Sequence, residues 1–270
     1  MTGRRVVIKV GGSVLGDEPA YASVASVLAD YLRRSPALER LYIVVSAQKG
    51  MTDRALEALA PDPENRRHLL ARLAGQPAGD GGLERWDRPR HALALLWGEI
   101  DSAFHLAECL HLEGCAACVV TQLGLYPIVS RGPYLRAELD LALSRRRFRR
   151  FERAHRQSRI IILPGFGAAN VRGEPTLFGR NASDYVAAIL SALDPNVDLV
   201  IFLKDVGAIY KASVTGGQRK IAVTDIARLR AGEFGRVLDR RVLEIIPCEF
   251  HVVGPDMRAG GTVVLPARAS

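Results

Sequence analysis

The chain has 270 residues, 48% hydrophobic and 24% charged, enough to bury a sizeable core as one large α/β domain or two lobes. Its formal charge of +8, from 37 basic against 29 acidic residues, is a mild excess that gathers locally. There is no N-terminal apolar segment of the secretory type and no long apolar span, which argues against export or membrane insertion and implies a cytoplasmic protein whose four cysteines stay reduced.

The first predicted strand, Val6–Val10, runs into Lys9-Val10-Gly11-Gly12-Ser13. A cation and bare backbone amides at a strand exit suit a phosphate, and the glycines let the turn bring N–H groups close to an anion. The spacing is neither G-x-x-x-x-G-K-[ST] nor G-x-G-x-x-G. A helix over Tyr21–Arg34 and a strand over Leu41–Ser46 follow, and Ser46-Ala47-Gln48-Lys49-Gly50-Met51-Thr52 then opens another helix. That segment offers two hydroxyls and helix N-terminal amides to an anion; the alternative is a plain N-cap at Ser46 or Thr52. Residues Ala74–Gly82 read as a surface loop.

Arg85–Leu112 is helical in pattern, with Gly98-Glu99 in its apolar middle. Periodicity leaves open whether Glu99 is a surface charge or a buried partner for an amine. Cys115 and Cys118 form a lone C-x-x-C at the entry to a strand over Ala117–Thr121; without a second pair or a histidine cluster, Cys109, Cys115, Cys118 and Cys248 read as small hydrophobes rather than metal ligands. The densest basic run, Arg145–Arg150 with Arg153 and Arg156, reads as a solvated helix face with Phe148 and Phe151 turned inward, and no nucleic-acid-binding signature accompanies it.

A strand at Ile160–Pro164 leads to Pro164-Gly165-Phe166-Gly167, and Gly179-Arg180-Asn181-Ala182-Ser183-Asp184 introduces a helix at Ser183–Leu193. Arg180 and Asp184 at a helix start suit gripping a carboxylate and orienting a lysine or metal; the alternative is a cap at Asn181 or Ser183. Leu199–Lys204 is a buried strand ending in Lys204-Asp205-Val206, with Tyr210-Lys211 a turn later, a ring and a cation that suit a nucleotide or simply a loop. Thr262–Leu265 is the last strand. This alternation is the rhythm of parallel βαβ units in a sheet covered on both faces, without a firm linker or an internal repeat.

Taken in order, these segments resemble the amino acid kinase family, and within it the catalytic domain of aspartate kinases. Val6–Ser13 is similar to the strand–K-x-G-G-[ST] element, and Val44–Asp53 to V-S-A-x-x-G-[VI]-T-N with Asp53 for asparagine. Gly98–Ala103 matches G-E-x-x-S-[AS], while Pro164–Asn170 and Gly179–Ala187 match [AP]-G-F and G-R-G-G-S-D-x-x-A-A. The resemblance spans nearly the whole chain. It implies an open three-layer αβα sandwich with a mainly parallel sheet, residues 1–270 forming one domain whose first 180 or so residues bind an amino acid and whose remainder, from about 181, binds nucleotide. It implies transfer of a phosphoryl group from ATP, with Mg²⁺ bridging the nucleotide phosphates, to a side-chain carboxylate of aspartate or a close analogue. No covalent nucleophile is required, since phosphoryl transfer depends mainly on positioning and charge neutralisation.

By the same resemblance Lys9 stabilises the transferring group with the amides of Gly11, Gly12 and Ser13, and Asp184 organises Lys9 and the acceptor. Ser46 and Thr52 face the accepting carboxylate, Glu99 holds the substrate ammonium and Arg180 pairs with its α-carboxylate. Lys204, Asp205, Tyr210, Lys211 and Arg236 fall on the nucleotide side, and the partners implied are an amino acid, ATP and a second copy in a homodimer, with no nucleic acid, membrane or dedicated metal site.

Departures gather on the nucleotide side. Asn181-Ala182 replaces Gly-Gly, and Lys204–Ser213 resembles T-D-V-D-G-[VI]-Y-T-A-D with lysine for threonine and Gly207 for the second aspartate; Ser213-Val214-Thr215 stands for D-P-R. Phe234–Leu238 matches F-G-A-K-V-L with one residue missing, Arg236 for lysine and no following His-Pro. These changes, and a stretch from Val237 to Thr262 that resembles uridylate kinases, leave open a kinase for another small acid or a nucleoside monophosphate, or a non-catalytic amino-acid-binding homologue. The chain ends at Ser270, where most aspartate kinases continue into ACT domains, so feedback by lysine or threonine is not expected.

Overall fold

A computed structural model describes residues 3–74, 86–165, 167–180, 182–212, 218–232, 237–258 and 260–266. Most of the 74–82 loop, Phe166, Asn181, Ser213–Thr215 and Phe234–Arg236 therefore lie outside the described residues.

The apolar runs read as strands form β1 (Arg4–Val10), β2 (Leu38–Val45), β3 (Cys118–Val119), β6 (Ile160–Pro164), β9 (Val197–Leu203) and β14 (Thr262–Leu265), and the structure adds β12 (Val223–Asp225) and β13 (Glu249–Val253), which the sequence reading did not single out. They make one eight-stranded sheet in the order β12-β14-β13-β9-β1-β2-β6-β3. Among the described residues only β13–β14 pairs antiparallel in it. Two-stranded pairs β4–β5 (Ser130–Arg131, Glu138–Leu139), β7–β8 (Gly167–Ala169, Pro175–Leu177) and β10–β11 (Ile209–Ala212, Gln218–Ile221) lie outside this sheet. The helices are α1 (Glu18–Arg34), α2 (Met51–Leu59), α3 (Pro63–Ala74), α4 (Pro89–Leu112), α5 (Leu141–Ala154), α6 (Ser183–Leu193), α7 (Ile226–Arg230) and α8 (Arg240–Ile245).

Strand periodicity sorts the core. Val6, Ile8 and Val10 join Leu41, Ile43, Ile162 and Ile201 on one face, beneath Val24 and Leu28 of α1 and Leu106 of α4. Val7 joins Tyr42, Val44, Leu163 and Phe202 on the other, beneath Val186 and Leu190 of α6 and Phe148 and Phe151 of α5. Both faces are thus dry along the middle of the sheet, the condition for a parallel sheet and the reason these runs are mostly apolar rather than alternating. Each fully buried Val, Leu or Ile contributes about 1.5–3 kcal/mol, so the alternation also locks the register. The architecture is the three-layer αβα sandwich expected.

The predicted ends of Ile160–Pro164, Ser183–Leu193 and Thr262–Leu265 coincide with β6, α6 and β14. The strand expected at Ala117–Thr121 shrinks to two half-buried residues, because β3 is an edge strand with β6 as its one neighbour. No helix among the described residues is long and apolar enough to cross a membrane.

Register then decides where chemistry collects. Val10 aligns with Val45 and with Leu203, and Val45 with Pro164, so four parallel strands finish along one edge. The loops leaving that edge are where an open α/β sheet binds its ligands.

Candidate active site

Lys9 belongs to the Val7 face of β1, and α6 covers that face, so strand alternation brings the ammonium to the first turn of the helix. There Lys9 Nζ lies 2.8 Å from Asp184 Oδ1, while Lys204 Nζ, from the residue just beyond β9, donates to Asp184 Oδ2 at 2.6 Å. Lys9 and Asp184 are each only 4% exposed. Burial by itself would raise the Asp184 pKa, but Lys9 and then Lys204 outweigh it and hold the carboxyl below its ordinary value. The Lys204 pKa is lowered as well, in its case away from the charged form: burial, and then repulsion from Lys9, outweigh the pull of Asp184. Two cations therefore share one carboxylate, and one positive charge is left over.

The glycine turn sits beside this cluster. A Cβ on Gly12 would collide with the carbonyl oxygen of Ala47, so the close passage of the two loops requires glycine there. Gly11 also lines the cleft, but its N–H donates to the Leu203 carbonyl at 3.2 Å and ties β1 to β9. The amides left to meet an anion are those of Gly12 and Ser13.

Neither hydroxyl of the second loop is a cap. The N-cap of α2 is Gly50, at φ +85° and without a side-chain cap bond. Ser46 Oγ instead lies 2.9 Å from Ser183 Oγ, and Thr52 lines the same cleft. The capping alternative for the α6 segment fails likewise, since Ala182 is the N-cap and makes no side-chain bond. Ala182, the departure from Gly-Gly, is fully buried.

Glu99 resolves as a buried group, 4% exposed. A Cβ at its neighbour Gly98 would meet the Cβ atoms of Ala47 and Met51 at 3.1 and 3.2 Å, so glycine lets α4 press against the second loop and carry Glu99 to the cleft. Burial, and then the charge of Glu99, push the Tyr126 phenol well up. Arg180 donates to Asp53 at 3.0 Å across the mouth, both groups being well exposed.

These parts enclose one cleft of about 690 Å³. Its lining includes Lys9, Gly11, Gly12, Ser13, Ser46, Thr52, Glu99, Arg180, Asp184 and Lys204. Asp205, Tyr210 and Lys211 are not brought in. Asp205 is exposed and accepts from the N–H of Val206, and the Tyr210 hydroxyl donates to the Val206 carbonyl at 3.3 Å. Lys211 lies exposed on β10, and Arg236 is outside the described residues.

The structure adds to the cleft three residues to which the sequence assigned no site role: Asp53, which engages Arg180; Ser183, bonded to Ser46; and Asp239, which lines the far wall while capping α8 and holding Arg241 at 2.6 Å. Asp53 carried a signal, its departure from asparagine in the motif. Asp239 carried none.

No group of three or more His, Cys, Asp or Glu able to hold a metal occurs among the described residues. Asp53, Asp184 and Asp239 each already face a lysine or arginine. The described residues therefore do not form a Mg²⁺ cage of their own.

A strand-end lysine, a glycine turn, two hydroxyls and a helix-borne carboxylate thus meet in the order the sequence elements suggested, and the sequence profile of the amino acid kinase family matches residues 4–240. The chain belongs to the amino acid kinase family. Over 234 residues it is 28% identical to the bifunctional aspartokinase/homoserine dehydrogenase 2 of Escherichia coli (strain K12), covering 77% of this chain and 28% of that enzyme, so it spans less than a third of this relative. E. coli aspartokinase III, solved in complex with aspartate and ADP, superposes with a TM-score of 0.75 at 22% identity over 99% of this chain and 66% of that one. Aspartate kinase from Synechocystis gives a TM-score of 0.69 at 21% identity, over 98% of this chain and 40% of that one. At such identities the structures share the fold, which alone does not select a substrate.

Proposed function

We propose that this amino acid kinase family member transfers the γ-phosphoryl group of ATP to the side-chain carboxylate of aspartate or a close analogue. The observation that carries this reading is the surplus positive charge of Lys9 and Lys204 on the single buried carboxylate of Asp184, at the floor of a cleft with hydroxyls on one side and a glycine turn on the other.

In this reading Gly12 and Ser13 present amides to the phosphates, where no side chain obstructs, and Lys9 faces the charge that spreads over the transferring oxygens. A carboxylate oxygen of the acceptor bonds to the γ-phosphorus as the bond to the β–γ bridging oxygen breaks, and ADP leaves with that electron pair. Ser46 and Thr52 donate to the accepting carboxylate, and buried Glu99 receives the substrate ammonium. Arg180 takes the α-carboxylate by exchanging it for Asp53, a replacement that exposure makes easy. Asp184 keeps both lysines aimed while they are empty of phosphate. Mg²⁺ bound to the nucleotide would add to the charge neutralisation. Residues up to about 180 would serve the acceptor, and those beyond would serve ATP, with Lys204 the nucleotide-side cation nearest the transfer.

The test is to follow ADP release from ATP with aspartate, glutamate, carbamate or UMP as acceptor, and to trap the acyl phosphate formed on a carboxylate with hydroxylamine. Aspartyl hydroxamate formed faster than any competing product is the expected result. Faster turnover of carbamate or UMP, or no ATP binding in calorimetry, would overturn the proposal.

A further inference from the structure

The basic run on α5 is not uniformly a solvated face. Phe148 and Phe151 are buried, and Ser144 is fixed against the Val129 backbone, its Oγ accepting from the N–H at 2.8 Å and donating to the carbonyl at 3.2 Å. These contacts set the rotation of the helix. Leu143, Arg146, Arg147 and Arg150, spaced i, i+3, i+4 and i+7, then share one side. That side walls a second cavity of about 490 Å³, closed opposite by Arg172 and Gly173 at the tip of the β7–β8 hairpin. It shares no lining residue with the kinase cleft.

Arg147 stands in an unusual position within it. Its Nη2 donates to the Asn170 carbonyl at 3.2 Å, but its Nη1 is shielded from solvent and meets no hydrogen-bond acceptor among the described residues. A buried charged donor left unmade is unfavourable, and such groups are ordinarily satisfied. Arg146 and Arg150 are exposed and have no carboxylate partner among the described residues, whereas Arg172 is held by Glu174 at 3.1 Å and by the Tyr134 hydroxyl at 3.0 Å. Three guanidinium groups thus line one cavity with no carboxylate partner among the described residues. Burial, and then repulsion from Arg150, lower the Arg147 pKa, so an anion placed here relieves both.

We propose that this cavity is a binding site for a compact polyanion, a phosphate ester or a polycarboxylate of two or more charges, held by Arg147 Nη1 together with Arg146 and Arg150. The guanidinium fork matches the paired oxygens of either group, and the volume falls in the range of small-metabolite pockets. This inference is independent of which acceptor the kinase cleft takes.

Calorimetric titrations with inorganic pyrophosphate and, separately, with citrate at about 0.15 M salt test it, on the native chain and on the Lys9→Ala, Arg146→Gln/Arg150→Gln and Arg147→Gln variants. Because the kinase cleft also offers cations, the binding component retained in Lys9→Ala and weakened in the arginine variants defines this site. The expected loss is about tenfold or more for each arginine variant, from removal of charged hydrogen bonds. Should Arg147→Gln fold poorly, the double variant at exposed positions decides. Tighter pyrophosphate identifies a phosphate ester and tighter citrate a polycarboxylate. Superimposable isotherms for native and double-variant protein would overturn the proposal, as would tighter binding of a single-stranded oligonucleotide through the same arginines.

Discussion

β1 and α6 carry ionic clusters at both their ends, and the two clusters are opposite in composition. Near the start of β1, Arg5 reaches Glu39 at 2.8 Å, Glu152 at 2.6 Å and Asp194 at 2.9 Å, and the Tyr42 hydroxyl donates to Asp194 at 2.8 Å. Near its finish, Lys9 and Lys204 share Asp184. The first has one cation among three carboxylates, and Asp194, at the C-cap of α6, is fully buried. The second has two cations on one carboxylate and opens into a cleft. Burial alone would lower the Arg5 pKa, but Asp194 and Glu152 raise it; burial and Lys9 lower that of Lys204. A cation over-supplied with partners braces the fold, whereas one that must share a partner is poised to accept an anion.

The contrast breaks most visibly at Lys9. Lys9→Ala should lower turnover by about 10²–10³-fold, since losing one group that faces developing charge raises the barrier by about 3–4 kcal/mol, while circular dichroism and the thermal midpoint stay close to native. A folded variant of near-native turnover would remove Lys9 from the chemistry.

Asp194→Ala should do the reverse. Removing one partner of a buried ion cluster costs about 3–5 kcal/mol, so the urea midpoint should fall steeply while the folded fraction keeps its turnover. A loss below about 1 kcal/mol would show that the two clusters do not differ as described.

Lys204→Thr, which restores the residue of the family motif, should have a middling effect of about tenfold on turnover. It also sharpens the comparison through pH. The folded-state pKa of Lys204 lies below the ordinary lysine value, so its ammonium is lost as pH rises through that lower value, and native turnover should decline there. Between the two values the unfolded chain still holds a proton that the folded chain has released, so stability rises with pH in that window. Lys204→Thr should flatten both profiles; an unchanged alkaline limb would assign the decline to another group.

The smallest effect is expected at Asp53. Its pair with Arg180 is exposed, so Asp53→Ala should change stability by less than about 1 kcal/mol. It should also lower the KM for the acidic acceptor by releasing Arg180, and a rise in KM would instead place Asp53 in substrate binding.

Much of this was legible in the residues. The dense apolar runs of β1, β2, β6 and β9 report a sheet buried on both faces, and period-two alternation within β1 puts Lys9 with Val7. Motif order then placed Lys9, Ser46, Thr52, Glu99, Arg180, Asp184 and Lys204 on the loops and helices that do line one cleft. What local pattern could not report was which neighbours those side chains would meet. Nothing near Gly98 says that Ala47 and Met51 press against it and carry Glu99 inward. The N–H of Gly11 looked free for phosphate until β9 arrived beside it, and the basic run of α5 looked uniformly solvated until the β7–β8 hairpin closed over Arg147.

By itself, then, the sequence determined the layers, the parallel strands and the edge at which polar groups gather, because hydrophobic periodicity is a local property that burial enforces residue by residue. Only the tertiary structure decided that Lys204 joins Lys9 on Asp184, that Arg180 turns to Asp53 and that Arg147 keeps one nitrogen without a partner. Those are contacts between segments far apart in the chain, and their electrostatics depends on distance and burial, which exist only once the strands are packed side by side.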